Sequence, residues 1–418
     1  MTHVVIGSGV AGNEAAETLK KHSPESRVLL LSREPFPSYS ACALPDFLAG
    51  WASREKLFIK SFDQYREEGI ETRFNETVES IDLEKKRLIC SETDVSYDTL
   101  IIATGSSALV PPLPGSRLEG NHVLKSMADM DTLSQVPARQ VVVIGSGNIG
   151  MEAAEAMHLK GCQVTVVELL DRIMPKVFDP PASAFLQRAV ESHGIRVLCS
   201  EKVEAILGDE QVHGVQTSHR EIPCDTVIWA VGVRQNTQLA KEAGLEIGEL
   251  GGILVDKGMH TSHTGVFACG DCVQTVDQIT GAPSLSLLWP SARQQGRIAA
   301  CNALGKNLEY EGAFTVVMEE ICGLPSVSLG RIAEAVNPDA LDLLEFEDDT
   351  HYRRVVLDNG IVAGYQNVGI PRGAGSMLFM IKNQVSLAEI HRWTHHRDLA
   401  LRMPHYLVAG RLCQVTDE

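Results

Sequence analysis

Residues 2–22 read THVVIGSGVAGNEAAETLKKH and decide how the chain begins to fold. A short β-branched run leads directly into Gly7, Gly9 and Gly12, and an Ala-, Glu- and Lys-rich stretch follows. Gly-x-Gly-x-x-Gly between a strand and a helix predicts a dinucleotide-binding unit. The first glycine allows the tight turn, the second lets the backbone approach a pyrophosphate, and the third lets helix and strand pack closely. The helix N-terminus supplies N–H groups and its dipole to the anion.

A second copy, RQVVVIGSGNIGMEAAEAMHLKGCQVTVVELLDR, starts at residue 139. Its first glycine follows that of the first copy by 145 − 7 = 138 residues, which suits two successive nucleotide-binding domains. Neither copy continues into Gly-Lys-Ser/Thr, so hydrolysis of a nucleoside triphosphate is disfavoured. The fingerprint residues that we expect to contact the two nucleotides are Gly7, Gly9, Val10, Ala11, Gly12, Gly145, Gly147, Ile149 and Gly150.

The residue that ends the second strand of each unit points to the nucleotide. In the later unit this is Glu168, which can accept hydrogen bonds from both ribose hydroxyls and would repel a 2′-phosphate. NADH is therefore favoured, while the nearby Arg172 leaves NADPH open. In the first unit the equivalent position is Ser32, and the first carboxylate comes at Glu34. We assign Glu34 to the adenosine ribose of the first nucleotide; the alternative is a solvated loop charge.

Three further strand-then-glycine segments occur, one between the two fingerprints and two after the second. YDTLIIATGSSALVPPLPG, residues 97–115, ends a buried strand at Thr104 and Gly105 and continues into prolines that suit a connection between domains. DTVIWAVGVRQNTQLA places Gly232 after a strand, and HTSHTGVFACGDCVQT does the same for Gly270 and Asp271. We expect these residues to complete the cofactor sites.

The composition is that of a globular protein with an acidic surface. The formal charge is −17, from 54 acidic and 37 basic residues, which works against binding to nucleic acid or anionic membrane. The chain opens on MTHVVIGSG, so we expect no secretory signal, and no apolar run is long enough to predict a membrane span. Ten scattered cysteines suit reduced thiols in the cytoplasm.

The ordered motifs GSGVAG, IIATGS, GSGNIG, AVGVRQN and VFACGD resemble the FAD- and NAD-dependent pyridine nucleotide-disulfide oxidoreductases over about residues 1 to 310. The resemblance implies an α/β chain with two Rossmann-like, doubly wound domains and a C-terminal α+β interface domain. It predicts an FAD-binding domain at 1–110 and 240–310, an NAD-binding domain at 111–239 and an interface domain at 311–418. FAD and NAD(H) are the cofactors that it implies.

The same resemblance assigns roles to single residues. The counterpart of Asp271 bonds the flavin ribityl chain in that family, and LLWPSARQQGRIAACNALG resembles the helix whose N-terminus faces the flavin. Glu152 lines the nicotinamide pocket by this resemblance, although it could be one more exposed helix carboxylate. The family often has a tyrosine where this chain has Asn148. Cys269 and Cys272 flank the flavin motif in CGDC, and we interpret both as small core residues rather than redox or metal ligands.

Cys42, in SYSACALPD, lies just after the second strand of the FAD unit. Two-cysteine reductases carry C-x4-C here, but this chain has Phe47 at the second position, so a local disulfide is not expected. A single thiolate beside flavin can still hold a substrate thiol as a mixed disulfide or rest as a sulfenic acid. The alternative is a buried structural thiol.

Several features around Cys42 bear on its chemistry. SYSACALPD resembles the S-F-x-x-C-x-L-P-Y stretch of coenzyme A-disulfide reductases. NADH oxidases and peroxidases place a histidine at the position of Val10, so peroxide chemistry is the weaker option. Asp46 replaces the tyrosine, and its negative charge opposes thiolate formation unless Arg33 or Arg54 offsets it. REPFPSYS is also similar to flavin-dependent reductases that use no cysteine here.

The last hundred residues resemble the family's interface domain only loosely. RRVVLDNGIVAGYQNVG predicts a hairpin that turns at Asn359 and Gly360. His391, His395 and His396 predict an exposed or interface helix face rather than a metal site, and Tyr406 is a weak counterpart of the terminal tyrosines of coenzyme A-disulfide reductases.

We therefore predict an FAD-dependent NAD(P)H oxidoreductase that passes hydride from NADH to FAD and on to a disulfide or polysulfide, such as coenzyme A disulfide, through Cys42. The alternative is a flavoprotein electron-transfer subunit of a larger iron–sulfur complex, of the phenylglyoxylate or 2-oxoacid dehydrogenase type. A nucleotide-binding sensor without turnover is a third option. The partners expected are a small-molecule or redox-protein acceptor and a second copy or a larger complex.

Overall fold

A computed structural model describes residues 1–370 and 373–389 of the chain. Its strands, in chain order, are β1 (Thr2–Ile6), β2 (Arg27–Ser32), β3 (Glu71–Phe74), β4 (Val78–Asp82), β5 (Arg87–Cys90), β6 (Val95–Ser96), β7 (Thr99–Ile102), β8 (Ser106–Ala108), β9 (Asn121–Val123), β10 (Gln140–Ile144), β11 (Gln163–Val167), β12 (Arg196–Leu198), β13 (Val203–Gly208), β14 (Val212–Thr217), β15 (Glu221–Pro223), β16 (Thr226–Trp229), β17 (Val233–Gln235), β18 (Ile253–Leu254), β19 (Val266–Ala268), β20 (Val273–Val276), β21 (Pro283–Ser284), β22 (Val316–Ile321), β23 (Leu324–Gly330), β24 (Leu341–Glu347), β25 (Tyr352–Asp358) and β26 (Ile361–Val368).

The helices complete the description of the secondary structure. The α-helices are α1 (Val10–His22), α2 (Leu44–Leu48), α3 (Arg54–Leu57), α4 (Phe62–Glu67), α5 (Met127–Gln135), α6 (Asn148–Leu159), α7 (Pro180–Ser192), α8 (Gln238–Glu242), α9 (Trp289–Ala303) and α10 (Ala374–Lys382), and single 3-10 turns span Ala41–Ala43 and Ala333–Ala335. Within residues 1–370 and 373–389, no helix has both the length and the apolar character needed to cross a bilayer.

The described chain forms two compact units. The first contains Met1–Leu109, Lys125–Met127 and Val233–Phe314, and the second contains Val110–Leu124, Ala128–Gly232 and the described residues from Thr315 onward. The division into three domains with the boundaries predicted from the sequence stays a prediction.

The first unit is built on a parallel sheet with strand order β19-β7-β1-β2-β3. All of its strands except the edge strand β3 are mostly apolar and buried, because both faces of the sheet are covered. Val5 of β1 belongs to one core cluster and Val4 to another, as expected where successive side chains point to opposite faces. α1 and α9 pack through small residues, and Gly296 of α9 lies against the backbone of Ala11.

The second unit repeats this arrangement with a parallel sheet of order β12-β11-β10-β16-β9. The register is also repeated, since Ile6 pairs with Leu31 in the first sheet and Ile144 pairs with Val167 in the second. The predicted α/β class with two Rossmann-like sheets is confirmed.

The second unit also contains an antiparallel sheet of order β22-β23-β26-β25-β24. β25 and β26 form the predicted hairpin, in which Asp358 pairs with Ile361. Asn359 and Gly360 have positive φ angles of 50° and 76°, which a two-residue type I′ turn requires. His391, His395, His396 and Tyr406 lie outside the described residues.

Candidate active site

The turn of the first fingerprint admits only glycine at its first position. Gly7 has a φ of +106°, and a Cβ added there would overlap the carbonyl oxygen of Ala103, the residue that follows β7. A Cβ at Gly12 would overlap the carbonyl oxygen of Gly7. These close approaches bring β1, α1 and the end of β7 together, as the fingerprint predicts.

Gly9 has a different role from its neighbours. It is the N-cap of α1 with φ −65° and ψ 180°, an extended backbone that any residue adopts. A Cβ added there meets nothing within 4 Å. The N-cap makes no side-chain hydrogen bond, and the first turn of α1 has no acidic residue. The backbone at this helix N-terminus is therefore open to an anion.

Thr104 and Gly105 form hydrogen bonds with Asn236, a contact that the sequence did not predict. The Thr104 hydroxyl donates to the carbonyl oxygen of Asn236 at 2.7 Å, and the Asn236 side chain donates back to the carbonyl oxygen of Thr104 at 2.9 Å. The backbone N–H of Asn236 donates to the Gly105 carbonyl at 3.0 Å. β8 and β17 continue this pairing as an antiparallel ribbon.

Gly270 and Asp271 follow β19, the strand beside β7. Gly270 has a φ of +84°, its N–H donates to the side chain of Gln295 at 2.8 Å, and an added Cβ would lie 2.9 Å from the Cβ of Ala11. Asp271 Oδ2 accepts from the Ser106 hydroxyl at 2.7 Å and from Lys125 Nζ at 3.2 Å. The structure thus places Gly7, Gly12, Ala11, Gly270 and their neighbours around the start of α1.

The end of β2, the second strand of the first unit, is where the sequence places the ribose-binding carboxylate. In the first unit the hydroxyl of Ser8 donates to that of Ser32 at 2.8 Å, and the N–H of Glu34 donates to the same Ser32 oxygen at 3.2 Å. Glu34 is half-buried, and its Oε2 accepts from the Tyr39 hydroxyl at 2.8 Å. Tyr39 therefore fixes the carboxylate that we assigned to the adenosine ribose.

The second fingerprint repeats the geometry of the first. Gly145 has a φ of +99°, and a Cβ there would lie 2.5 Å from the carbonyl oxygen of Ala230. A Cβ at Gly150 would overlap the Gly145 carbonyl oxygen, whereas one at Gly147 meets nothing within 4 Å. Gly232, with a φ of +114°, follows β16 beside this turn and is also open.

The carboxylate of Glu168 accepts several hydrogen bonds from the protein, which its position in the sequence did not predict. Its Oε2 accepts from the N–H of Ser146 at 2.9 Å and from the Ser146 hydroxyl at 2.6 Å, and its Oε1 accepts from the N–H of Leu170 at 2.9 Å. A carboxylate has about four acceptor sites, so roughly one is left for a ligand. Three donors therefore orient the carboxylate beside the second fingerprint.

Arg172 was the residue that kept NADPH possible as the nucleotide in the sequence analysis. In the structure its guanidinium is bonded to other groups of the protein. Its guanidinium donates to the carbonyl oxygens of Phe178 and Pro175, at 3.3 and 3.1 Å, and to the carboxylates of Asp171 and Glu334, at 2.9 and 2.7 Å. Only 12% of its side chain is exposed. These contacts leave little of the guanidinium for a 2′-phosphate.

The first turn of α6 carries the other residues predicted near the nicotinamide. Ile149 is 40% exposed, and Glu152 is half-buried. The amide of Asn148, at the position where the family often has a tyrosine, donates to the carboxylate of Glu319 on β22 at 2.9 Å. The role of Glu152 in nicotinamide binding stays a prediction.

Cys42 is exposed and lies in the 3-10 turn Ala41–Ala43. The alternative of a buried structural thiol is therefore wrong. α2 follows at once, because Leu44 and Pro45 provide a favourable first turn. Among the cysteines in the described part of the chain, Cys42 is the exposed one, so its sulfur is accessible where the others are partly or wholly covered.

Buried hydrogen bonds anchor the loop that carries Cys42 to the fingerprint helix. The N–H of Ser38 donates to the Tyr65 hydroxyl at 3.3 Å, and this hydroxyl donates to Asn13 of α1 at 2.6 Å. Tyr65 is fully buried, and burial raises its pKa, so it stays a neutral donor. The N–H of Ser40 donates to the Leu57 carbonyl at 2.8 Å. Cys42 is thereby held at a set place relative to α1.

Three charged groups predicted to tune Cys42 can now be located. Asp46 lies in the first turn of α2, and partial burial raises the pKa of its carboxyl. Arg54 places its guanidinium 5.8 Å from the centroid of the Phe36 ring, and Arg33 is exposed.

Cys269 and Cys272 occupy the core, as predicted. Both are fully buried, in separate clusters that cover opposite faces of the first sheet. Burial raises the pKa of both thiols, and that of Cys269 most strongly. The Cys272 thiol donates to the carbonyl oxygens of Cys269 and Ile102, at 3.3 and 3.6 Å.

Both fingerprints fit a dinucleotide on the geometry of this chain. The N-caps of α1 and α6 are the glycines Gly9 and Gly147, and the space that a side chain would fill at these positions is open. Neither helix has an acidic residue in its first turn. Unpaired N–H groups and the helix dipole favour a pyrophosphate there. The hydrogen bonds that position Glu34, Glu168 and Asp271 were not predicted from the sequence. Tyr39 and Ser146 stand inside the quoted stretches SYSACALPD and GSGNIG without an assigned role, and Lys125 belongs to no motif.

Comparison with known proteins identifies the family of the chain. Residues 1–296 match the family described as pyridine nucleotide-disulphide oxidoreductase. An NADH oxidase of Methanocaldococcus jannaschii is 32% identical over 81% of this chain and 78% of its own length. An NAD(P)H coenzyme A polysulfide/persulfide reductase of Pyrococcus horikoshii is 31% identical over 74% of this chain and 71% of its own. The structure of an NAD-dependent persulfide reductase from A. fulgidus has a TM-score of 0.88 and 26% identity, and the match covers 94% of this chain and 78% of that one.

The family match supplies the cofactors that the fingerprints fit, FAD and NAD(P)H. The relatives do not favour the alternative of an iron–sulfur electron-transfer subunit. With two dinucleotide sites in one chain and the match over its first 296 residues, this protein belongs to the pyridine nucleotide-disulphide oxidoreductase family and is an FAD-dependent NAD(P)H oxidoreductase.

Proposed function

We propose that the protein is an NADH-dependent reductase of a small disulfide, persulfide or polysulfide, with Cys42 as the residue that contacts the acceptor. The observation that carries this proposal is the exposed thiol on a turn anchored to the first fingerprint helix. Relatives named as coenzyme A polysulfide/persulfide reductase and persulfide reductase support this class of acceptor.

Each nucleotide has its own set of residues in this proposal. FAD is bound by the first fingerprint together with Glu34, Thr104, Gly105, Gly270 and Asp271. NADH is bound by the second fingerprint together with Glu168 and Gly232. When bound, FAD would supply the chemistry that takes a hydride from NADH and passes two electrons on to the acceptor. Orientation and electrostatics are what the chain itself contributes.

The sulfur chemistry uses Cys42 as a nucleophile. Its thiolate attacks one sulfur of the acceptor disulfide, forms a mixed disulfide and releases the other sulfur as a thiolate. Two electrons that originate in NADH then reduce the mixed disulfide, which returns the Cys42 thiolate and releases the second thiol. The sum is one NADH, one proton and one disulfide converted to NAD⁺ and two thiols.

The acceptor is tested by steady-state oxidation of NADH by the FAD-loaded protein. We expect higher kcat/KM with coenzyme A disulfide or polysulfide than with O2, because Val10 stands where peroxide chemistry would use a histidine. The reaction should release two thiols per disulfide. A higher kcat/KM with O2 than with every sulfur acceptor would contradict the proposal.

The nicotinamide nucleotide preference gives a separate prediction. We expect Glu168→Gln to reduce the ratio of kcat/KM for NADH over NADPH by roughly tenfold, since one hydrogen bond to a charged group is lost and the repulsion of a 2′-phosphate is removed. Arg172→Ala should change this ratio less than about twofold, because its guanidinium already bonds protein groups.

Kinetics with both nucleotides check this prediction, and thermal unfolding reports any loss of stability in the two variants. A collapse of NADPH turnover in Arg172→Ala alone would contradict it, since that result would mean that Arg172 holds the 2′-phosphate.

Assembly through the C-terminal region, as a homodimer or within a larger redox complex, stays a proposal. The described part of this region, β22 to α10, supplies the antiparallel sheet whose β22 contacts α6 through Glu319 and Asn148.

A further inference from the structure

The three residues Lys125–Met127 belong to the first compact unit although the chain on both sides of them belongs to the second. We call this segment the strap. Lys125 Nζ lies 3.2 Å from Asp271 Oδ2, and the backbone N–H of Met127 donates to the Tyr39 hydroxyl at 3.4 Å. Tyr39 in turn donates to Glu34. The strap therefore contacts one of the two carboxylates that we assign to FAD, Asp271, and the residue that supports the other, Glu34.

The contact between Lys125 and Asp271 is suited to orient a carboxylate toward a ligand. The side chains are 34% and 18% exposed, so the pair is partly shielded from water. Lys125 and the Ser106 hydroxyl, at 2.7 Å, both approach the same oxygen, Oδ2. In the described part of the chain, the recorded donors to Asp271 both lie on Oδ2, which leaves Oδ1 to a ligand.

We propose that Lys125 is a positioning residue of the FAD site that acts through Asp271. Its ammonium holds Oδ2 and keeps the carboxylate aimed, so that Oδ1 accepts from a hydroxyl of FAD. Hydrogen bonds to charged groups stabilise more than neutral ones. The inference rests on the proposed role of Asp271 at the ribityl chain and adds a residue that no motif contains.

The test measures FAD affinity rather than turnover. Apoprotein is titrated with FAD, and quenching of flavin fluorescence gives the dissociation constant for wild type, Lys125→Met, Asp271→Asn and the double variant. We expect Lys125→Met to raise this constant about tenfold, as for loss of a hydrogen bond to a charged group. The double variant should bind FAD within about twofold of Asp271→Asn, because Lys125 acts through that carboxylate.

Two further variants separate positioning from a general loss of charge or stability. Lys125→Arg, which restores the cation, should recover affinity to within about threefold of wild type. Lys85→Met removes another lysine of the same unit that forms an ion pair, with Asp82, and should leave FAD affinity unchanged. Thermal unfolding of each apoprotein shows whether the strap variants fold as wild type does.

The outcomes distinguish the inference from the function on which it rests. If Asp271→Asn weakens FAD binding but Lys125→Met does not, the inference is overturned and the role of Asp271 stands. If the losses of Lys125→Met and Asp271→Asn add in the double variant, Lys125 acts independently of Asp271 and the inference is also overturned. If Asp271→Asn itself binds FAD as wild type does, the assignment of Asp271 to FAD fails together with the inference.

Discussion

Cys42→Ser should abolish NADH-dependent reduction of disulfide and polysulfide while leaving FAD bound. A hydroxyl at this exposed turn cannot form a mixed disulfide, so we expect kcat to fall by at least about a thousandfold, as when an enzyme loses its nucleophile. In an anaerobic titration, wild type whose Cys42 is oxidised should take up one two-electron equivalent more than the variant. A long-wavelength absorbance band of the wild type should also be lost in the variant.

A second thiol serves as the control for this result. Cys199→Ser removes a half-buried thiol of the second unit, where burial raises the pKa to about 11. Its titration and turnover should match those of the wild type. Identical titrations and equal disulfide reduction in wild type and Cys42→Ser would remove Cys42 from the mechanism.

Gly9→Ala should leave the fold intact and weaken FAD binding by roughly ten- to a hundredfold. The backbone of Gly9 is extended, and a Cβ there meets no protein atom within 4 Å, so the cost to the apoprotein is about 1 kcal/mol or less, the cost of a poorer N-cap. The added methyl instead fills the space through which the backbone approaches the pyrophosphate. Overpacking of this kind costs about 1–3 kcal/mol, and every 1.4 kcal/mol is tenfold in the dissociation constant.

Two variants make the Gly9 result specific. Gly147→Ala, at the matching and equally open position of the second fingerprint, should raise KM for NADH and leave FAD affinity unchanged. Gly7→Ala should destabilise the protein itself, because its φ of +106° is strained for alanine and its Cβ would overlap the Ala103 carbonyl. Tight FAD binding to Gly9→Ala would mean that no phosphate lies at this helix N-terminus.

Local sequence carried most of the information on the fold. Strand-glycine-helix patterns predicted both Rossmann-like units, because the positive φ of Gly7 and the close approach of Gly12 to the Gly7 carbonyl arise within one short turn. Asn359-Gly360 predicted its hairpin for the same reason. The core position of Cys269 and Cys272 also followed from their place beside the flavin motif.

The surroundings of Cys42 show where local patterns stop. The sequence around Cys42 allowed either a buried or an accessible thiol, because exposure depends on how the loop packs on the rest of the unit. The hydrogen bond between Tyr65 and Asn13, which lie 52 residues apart in sequence, helps to fix the position of the loop. No periodicity or spacing encodes such a contact.

The sequence by itself determined that this chain carries two Rossmann-like units, and it predicted which turns hold the nucleotides. Only the tertiary structure decided that Arg172 is held by Glu334, that three donors hold Glu168, and that Lys125 meets Asp271 across 146 residues. The physical reason is one of range: turn geometry and strand or helix periodicity are local properties of the chain. Which side chain orients a given carboxylate depends instead on how distant elements pack.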